Sequence, residues 1–131
     1  MLRIALNSVM VDDQARAHDF YTRVLGFEVR RDVPFDGGRW LTVVAPGAPG
    51  VELLLEPAGF DFAPTYQRAL RQAGIPITAF AVDDLQHSYD TLLARGVVFQ
   101  SPPSEAGTQA IAVFDDTCGN WIQLYQDLDD A

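Results

Sequence analysis

Apolar residues recur at three- and four-residue spacing in two stretches of the chain. The first, Gln14 to Gly26, aligns Ala17, Phe20, Tyr21 and Val24; the second, Leu85 to Gly96, aligns Leu85, Tyr89, Leu92 and Leu93. That period predicts two amphipathic helices. Each opens on an Asp suited to N-capping, Asp13 or Asp84, and closes on a glycine suited to C-capping. Shorter runs rich in Val, Ile, Leu and aromatics predict strands. One ends at Val11 and one at Val82; others cover Phe27–Val29, Arg39–Val44, Val51–Leu54, Val97–Phe99, Ala110–Asp115 and Ile122–Tyr125. Turn residues such as Pro34, Asp36, Gly37, Gly38, Pro46 and Gly50 separate the strands of the first half. A further helix is expected over Ala63 to Gly74.

These elements repeat. Val11-Asp12-Asp13 returns as Val82-Asp83-Asp84, 71 residues later. The same offset carries Arg39–Val44 onto Ala110–Asp115 and Val51–Leu54 onto Ile122–Tyr125. Each half therefore reads β-α-β-β-β, an α+β pattern. A half of roughly 60 residues is too small to bury much surface alone, so the two are expected to complete one structure together. We read residues 1–131 as a single domain: module one over about 1–60, a linker helix over about 61–74 and module two over about 75–127.

Composition narrows the chemistry. The chain carries 18 acidic residues against 9 basic ones, a formal charge of −9, and all nine basic residues are Arg. The acidity argues against nucleic acid, whose phosphates need clustered cations, and against an anionic membrane surface. The absence of Lys removes Schiff-base chemistry and a lysine general base. One cysteine, Cys118, builds no disulfide framework. The N-terminal apolar run is too short for a membrane span and lacks the shape of a signal peptide, so the expected location is cytoplasmic.

With both halves laid out, the sequence resembles the vicinal oxygen chelate superfamily, which includes glyoxalase I, extradiol dioxygenases, and fosfomycin- and bleomycin-resistance proteins. The resemblance rests on Asp13 with Phe20-Tyr21-Thr22-Arg23-Val24-Leu25-Gly26-Phe27, on Phe80-Ala81-Val82-Asp83-Asp84-Leu85, and on Asp115-Asp116-Thr117-Cys118-Gly119-Asn120-Trp121-Ile122-Gln123-Leu124-Tyr125. It implies two βαβββ modules forming a cup-shaped half-barrel of mixed sheet with helices outside, in a homodimer. Whether one chain or two forms the cup stays open. Enzymes of this group hold a divalent metal in the cup through one ligand from each of four strands. Carried over position by position, the first ligand falls seven residues before Asp13, at Leu6, and the second at Glu52. The third falls seven residues before Asp84, at Ile77, and the fourth at Gln123. Leu and Ile offer no lone pair, so a metal is disfavoured here and no cofactor is expected.

Residues sharing strand faces with these four extend the candidate ligand-binding set: Ser8 and Met10 with Leu6, Ala79 with Ile77, Tyr125 with Gln123, Glu56 with Glu52, and Arg39, Trp40 and Thr42 from the third strand. Such a cup is mostly apolar with a few polar groups, the usual make-up of a small-molecule pocket. Glu52 is the candidate catalytic residue. Burial would raise its pKa and suit it to act as a general base, unless Arg39 or another cation pairs with it. Trp40 and Trp121 are candidates for stacking a ligand. His18 and His87 fall in the helices and read as surface residues; Cys118 and the Asp115-Asp116 pair read as parts of a turn.

Two functions compete, with a purely structural or regulatory dimer as a third reading. One is a metal-free protein that binds or sequesters a small, cationic or aromatic compound, as the resemblance to bleomycin-resistance proteins suggests. The other is a lyase, isomerase or dioxygenase of the glyoxalase type, using an atypical metal site or Glu52 as base.

Overall fold

The computed structural model describes residues 1–129; Asp130, the end of the acidic Asp127-to-Asp130 tail, lies outside them. The first module runs β1 (Leu6–Val11), α1 (Gln14–Asp19, continued by a π-helical turn Phe20–Val24), β2 (Glu28–Phe35), β3 (Gly38–Ala45) and β4 (Ala48–Pro57). Helix α2 (Phe62–Gln72) leads to the second module: β5 (Thr78–Ala81), α3 (Leu85–Ala94), β6 (Ser104–Ala106), β7 (Gln109–Asp115) and β8 (Trp121–Asp127). The strands form two four-stranded mixed sheets, ordered β1-β4-β3-β2 and β5-β8-β7-β6, and neither closes. In each, the first strand pairs parallel with the last and the remaining pairs are antiparallel.

The caps behave as the sequence predicts. Asp13 and Asp84 sit in extended backbone and accept from the N–H of Arg16 and His87, at 3.0 and 3.1 Å. Gly26 and Gly96 end these helical runs at φ +85° and +88°, a region that glycine enters without a Cβ penalty. One strand differs from expectation. Val97–Phe99 contributes only a bridge from Phe99 to Phe114, and the second strand of module two is Ser104–Ala106. The apolar run there serves the core instead: Val97 is buried and Phe99 packs against Phe114 and Tyr89.

Both modules share one core. Val9, Val11, Leu41, Val43 and Leu55 from the first sheet join Ala112, Phe114, Ile122 and Leu124 from the second, with Ala17, Phe20, Tyr21, Leu85 and Leu92 from the helices. Aromatic contacts cross the seam, with Phe20 to Phe114 at 6.1 Å and Phe27 edge-on to Phe80 at 5.4 Å. Odd-numbered strand residues face this core in the first sheet and even-numbered ones in the second; on the opposite face Thr42, Val44 and Leu54 are also buried, and most other residues are half-buried or exposed.

A buried polar joint locks the modules. Asp116 is fully buried, and its carboxylate accepts from the Tyr21 hydroxyl at 2.7 Å, the Cys118 and Asn120 N–H groups at 2.7 and 3.1 Å, and the Asn120 amide at 2.8 Å. Asn120 and Gln67 both donate to the Met10 carbonyl, at 2.7 and 3.1 Å, and Gln67 also donates to the Cys118 carbonyl and to Asn120. The turn motif thus ties β1, α2 and the β7–β8 connection together. Burial still pushes the Asp116 carboxyl above its usual range, against the pull of these donors.

Candidate functional site

The open face of the first sheet carries Leu6, Ser8 and Met10 from β1, Trp40 and Thr42 from β3, and Glu52, Leu54 and Glu56 from β4. The β1–β4 register sets Leu6 against Glu52 and Met10 against Glu56. The predicted faces therefore hold, with Val9, Val11 and Leu55 on the core side. On the second sheet Gln123 pairs with Ala79 and Tyr125 with Ala81. Ile77 instead donates its N–H to the Trp121 carbonyl. Matching the Thr42–Leu54 pair of one module with the Val113–Gln123 pair of the other makes the last-strand offset two residues shorter than 71. The ladder counterpart of Glu52 is thus Trp121, and Gln123 lies one pleat further along. Ile77 is half-buried against the core rather than free on the open face.

Glu52 is not an isolated carboxylate. The buried Thr42 hydroxyl donates to its Oε1 at 2.8 Å, and the Arg31 Nε does so at 3.1 Å. These two partners, Thr42 first, hold its pKa below the usual glutamate value. The rise expected of an unpaired glutamate in an apolar cup does not arise, because a cation other than Arg39 pairs with it: Arg31 lies on β2, beyond β3 in the sheet, and nothing local in the sequence links it to Glu52. Arg39, the partner anticipated for Glu52, forms a bidentate pair with Asp32 at 2.7 and 3.0 Å.

The predicted site residues divide between two cavities. Glu52, Ala79 and Tyr125 meet in one of about 530 Å³ between the β3–β4 hairpin and β5, where Asn7, Leu53 and Phe80 add to the wall. Arg39, Trp40 and Glu56 meet in another of about 320 Å³ with Phe35, Leu54 and Phe60. Leu6, Ser8, Met10, Thr42, Ile77 and Gln123 line neither. The two tryptophans have different fates. Trp121 donates its indole N–H to the Arg71 carbonyl at 3.1 Å, and the Arg71 guanidinium sits 4.1 Å from its ring centroid while pairing with Asp115 at 2.8 Å. That tryptophan is committed to the fold. Trp40 remains 41% exposed on its cavity wall.

A residue that the sequence reading passed over shapes the second cavity. Continued along β3 and β4, the Thr42–Leu54 register would oppose Arg39 to Pro57, which has no N–H to give. Gln14, at the start of α1, fills that gap. Its amide donates to the Arg39 and Leu55 carbonyls at 2.7 and 2.8 Å and accepts from the Arg39 N–H at 2.9 Å. Gly38 leaves the room, because a Cβ there would lie 2.8 Å from the Gln14 amide oxygen and 3.2 Å from Pro57. A glutamine at a helix start carries no signal of this role; the proline in the partner strand was the available hint.

The donor set does not suit a tightly held transition metal. Of the four positions matched to metal ligands, Leu6 and Ile77 have none to offer, and the Glu52 carboxylate is engaged by Thr42 and Arg31. Among the described residues no three His, Cys, Asp or Glu side chains gather to hold an ion. His18 bonds Asp19 at 3.1 Å on the outer face of α1, and His87 is exposed on α3. Cys118 is buried, and burial next to Asp116 pushes its thiol up to about 12. Among the described residues no helix is long and apolar enough to cross a membrane.

Comparison with known proteins agrees with this layout. The family model of the Glyoxalase/Bleomycin resistance protein/Dioxygenase superfamily matches residues 3–124. The chain is 45% identical over 126 residues to the protein YurT of Bacillus subtilis (strain 168), covering 95% of this chain and 99% of that one. Among solved structures, UcmS2 is similar with a TM-score of 0.83 at 32% identity, over 95% of this chain and 98% of that one. TnmS3, an antibiotic binding protein from Streptomyces sp. CB03234, is similar with a TM-score of 0.74 at 29% identity, over 97% of both chains.

Proposed function

Since this chain belongs to the glyoxalase/bleomycin resistance protein/dioxygenase superfamily, whose members vary widely in chemistry, we propose that it is a small-molecule-binding protein that needs no metal. The observation that carries this reading is the state of the four matched ligand positions. Only Glu52 bears a carboxylate, and a hydroxyl and a guanidinium already occupy it. The same pairing disfavours Glu52 as a general base, because a pKa held low weakens proton abstraction. The likeness to TnmS3, described as an antibiotic binding protein, supports sequestration over turnover.

The ligand lies against the open face of the first sheet. One chain does not enclose that face: both sheets turn their other side to the common core, and β2 is exposed along its whole length, Val29, Val33 and Phe35 included. A second copy covers it in our reading, with β1 and β5, each a free sheet edge, available to meet across the interface. The working form is then a cytoplasmic homodimer with a cup built from two chains.

Elemental analysis after chelator-free purification, run alongside sedimentation equilibrium, tests this. The expected outcome is a dimer with far less than one transition-metal ion per chain. A stoichiometric metal overturns the metal-free reading, and a monomer at micromolar concentration overturns the two-chain cup.

A further inference from the structure

The smaller cavity has an unusual wall for a protein surface. Phe35, Trp40 and Phe60 surround it, and Phe60 is 62% exposed. Behind Phe60 stands Phe62, also largely exposed, its ring parallel within 5° and 5.3 Å away. Two phenyl rings stacked in water, next to a half-exposed indole, form an apolar patch that the fold of one chain leaves unused. The rings present π faces, and π faces attract cations.

The charges around the rings point the same way. Trp40 and Glu56 lie on one face, each one pleat beyond the Thr42–Leu54 pair. Glu56 is half-buried and its carboxylate makes no hydrogen bond or ion pair among the described residues; that of Asp36, at the hairpin tip, makes none either. The one cation in the wall, Arg39, is neutralised by both oxygens of Asp32. Glu52, by contrast, already has a cationic partner in Arg31, and its Oε1 also accepts from Thr42. Of the two β4 carboxylates on this face, Glu56 is the one with charge to spare. A carboxylate on a cavity wall with no ion-pair partner is available to a cationic guest. The overall charge of −9 adds a long-range field of the same sign.

We propose that the cavity bounded by Phe35, Trp40 and Phe60 is the recognition site for an organic cation with a flat aromatic body, its charge held by Glu56 and its ring stacked against Trp40. This rests on the reading that the open face of the first sheet binds ligand, and it assigns both the chemical class and the anchoring carboxylate.

The test uses three dyes of one shape: N-methylacridinium, acridine at a pH where it is uncharged, and acridine-9-carboxylate. Binding to the full-length protein is followed by quenching of tryptophan and dye fluorescence and by calorimetry. We expect N-methylacridinium to bind about tenfold more tightly than acridine at low salt, the carboxylate to bind worst, and added salt to shrink the preference. Glu56→Gln should bring cation and neutral dye within about twofold of each other, while Glu28→Gln, with the same charge change at the far end of β2, keeps the preference. Trp40→Phe should weaken the cation more than the neutral dye, and thermal melts confirm that each variant is folded. Equal binding of cation and neutral dye, or an unchanged preference in Glu56→Gln, overturns the cation assignment and leaves small-molecule binding standing. Failure of all three dyes to bind overturns it as well. If Phe60→Ala turns a dimer into monomers and no dye discriminates, the rings are a chain–chain contact and the proposal fails; a metal-loaded chain sinks the broader reading independently.

Discussion

Replacing Tyr21 by Phe isolates the buried joint. The substitution keeps the ring, which packs against Phe20 and Phe27, and removes only the hydroxyl that donates to Asp116 at 2.7 Å. Three donors then remain on a fully buried carboxylate. A hydrogen bond to a charged group contributes about 1.5–3 kcal/mol, so that loss is expected at neutral pH. The effect depends on pH, and its direction follows from the raised pKa of Asp116 in the fold. A carboxyl with a raised folded pKa contributes stability that is present in acid and is lost as pH rises through that value. Removing a donor that favours the charged form raises the folded pKa further, so the gap between wild type and variant widens with pH. Toward acid the lost bond becomes a neutral one, worth about 0.5–1.5 kcal/mol. Urea unfolding of both proteins from acid to neutral pH measures the difference, which cancels the paired carboxylates Asp13, Asp32, Glu52 and Asp115 common to both. A gap below about 0.5 kcal/mol at neutral pH, or one that does not change with pH, refutes the claim that Tyr21 sustains a buried charge.

Three further outcomes are expected. Gly119→Ala should destabilise by about 1–3 kcal/mol in the same unfolding assay, because φ is +97° there and a Cβ would lie 2.8 Å from the Gln67 amide. Cys118 should resist a disulfide reagent at neutral pH until urea unfolds the chain, since burial keeps its thiol near 12. Gln14→Ala should cost about 1–3 kcal/mol, because the Arg39 and Leu55 carbonyls lose their donor, and hydrogen exchange at Arg39 should quicken while the rest of β3 stays protected.

What the sequence made legible was whatever is written in local period. The helices, their Asp caps and glycine stops, and the sorting of β1, β4 and β8 into two faces all follow from spacing and short-range chemistry. What it hid was carried by distant pairs. Arg31 and Glu52 are 21 residues apart, and nothing local marks them as partners over Arg39. Asp116 reads as an ordinary turn aspartate until Tyr21, 95 residues away, lays its hydroxyl on it. The repeat was real in element order, yet its single offset failed on the last strand, where only the ladders fix the correspondence. Val97–Phe99 had strand composition but was taken by the core, a tertiary override of propensity.

Gln14 has one more consequence. Its amide stands in for the hydrogen bond that Pro57 cannot give, so the spread of β3 from β4 beside Trp40 is set by a residue of α1 that does not itself line the cavity. Aperture and lining are therefore set by different residues. Substitutions at Gln14 or Gly38 act on the spacing of the strands beside the cavity, whereas Glu56, Phe35, Trp40 and Phe60 form its wall.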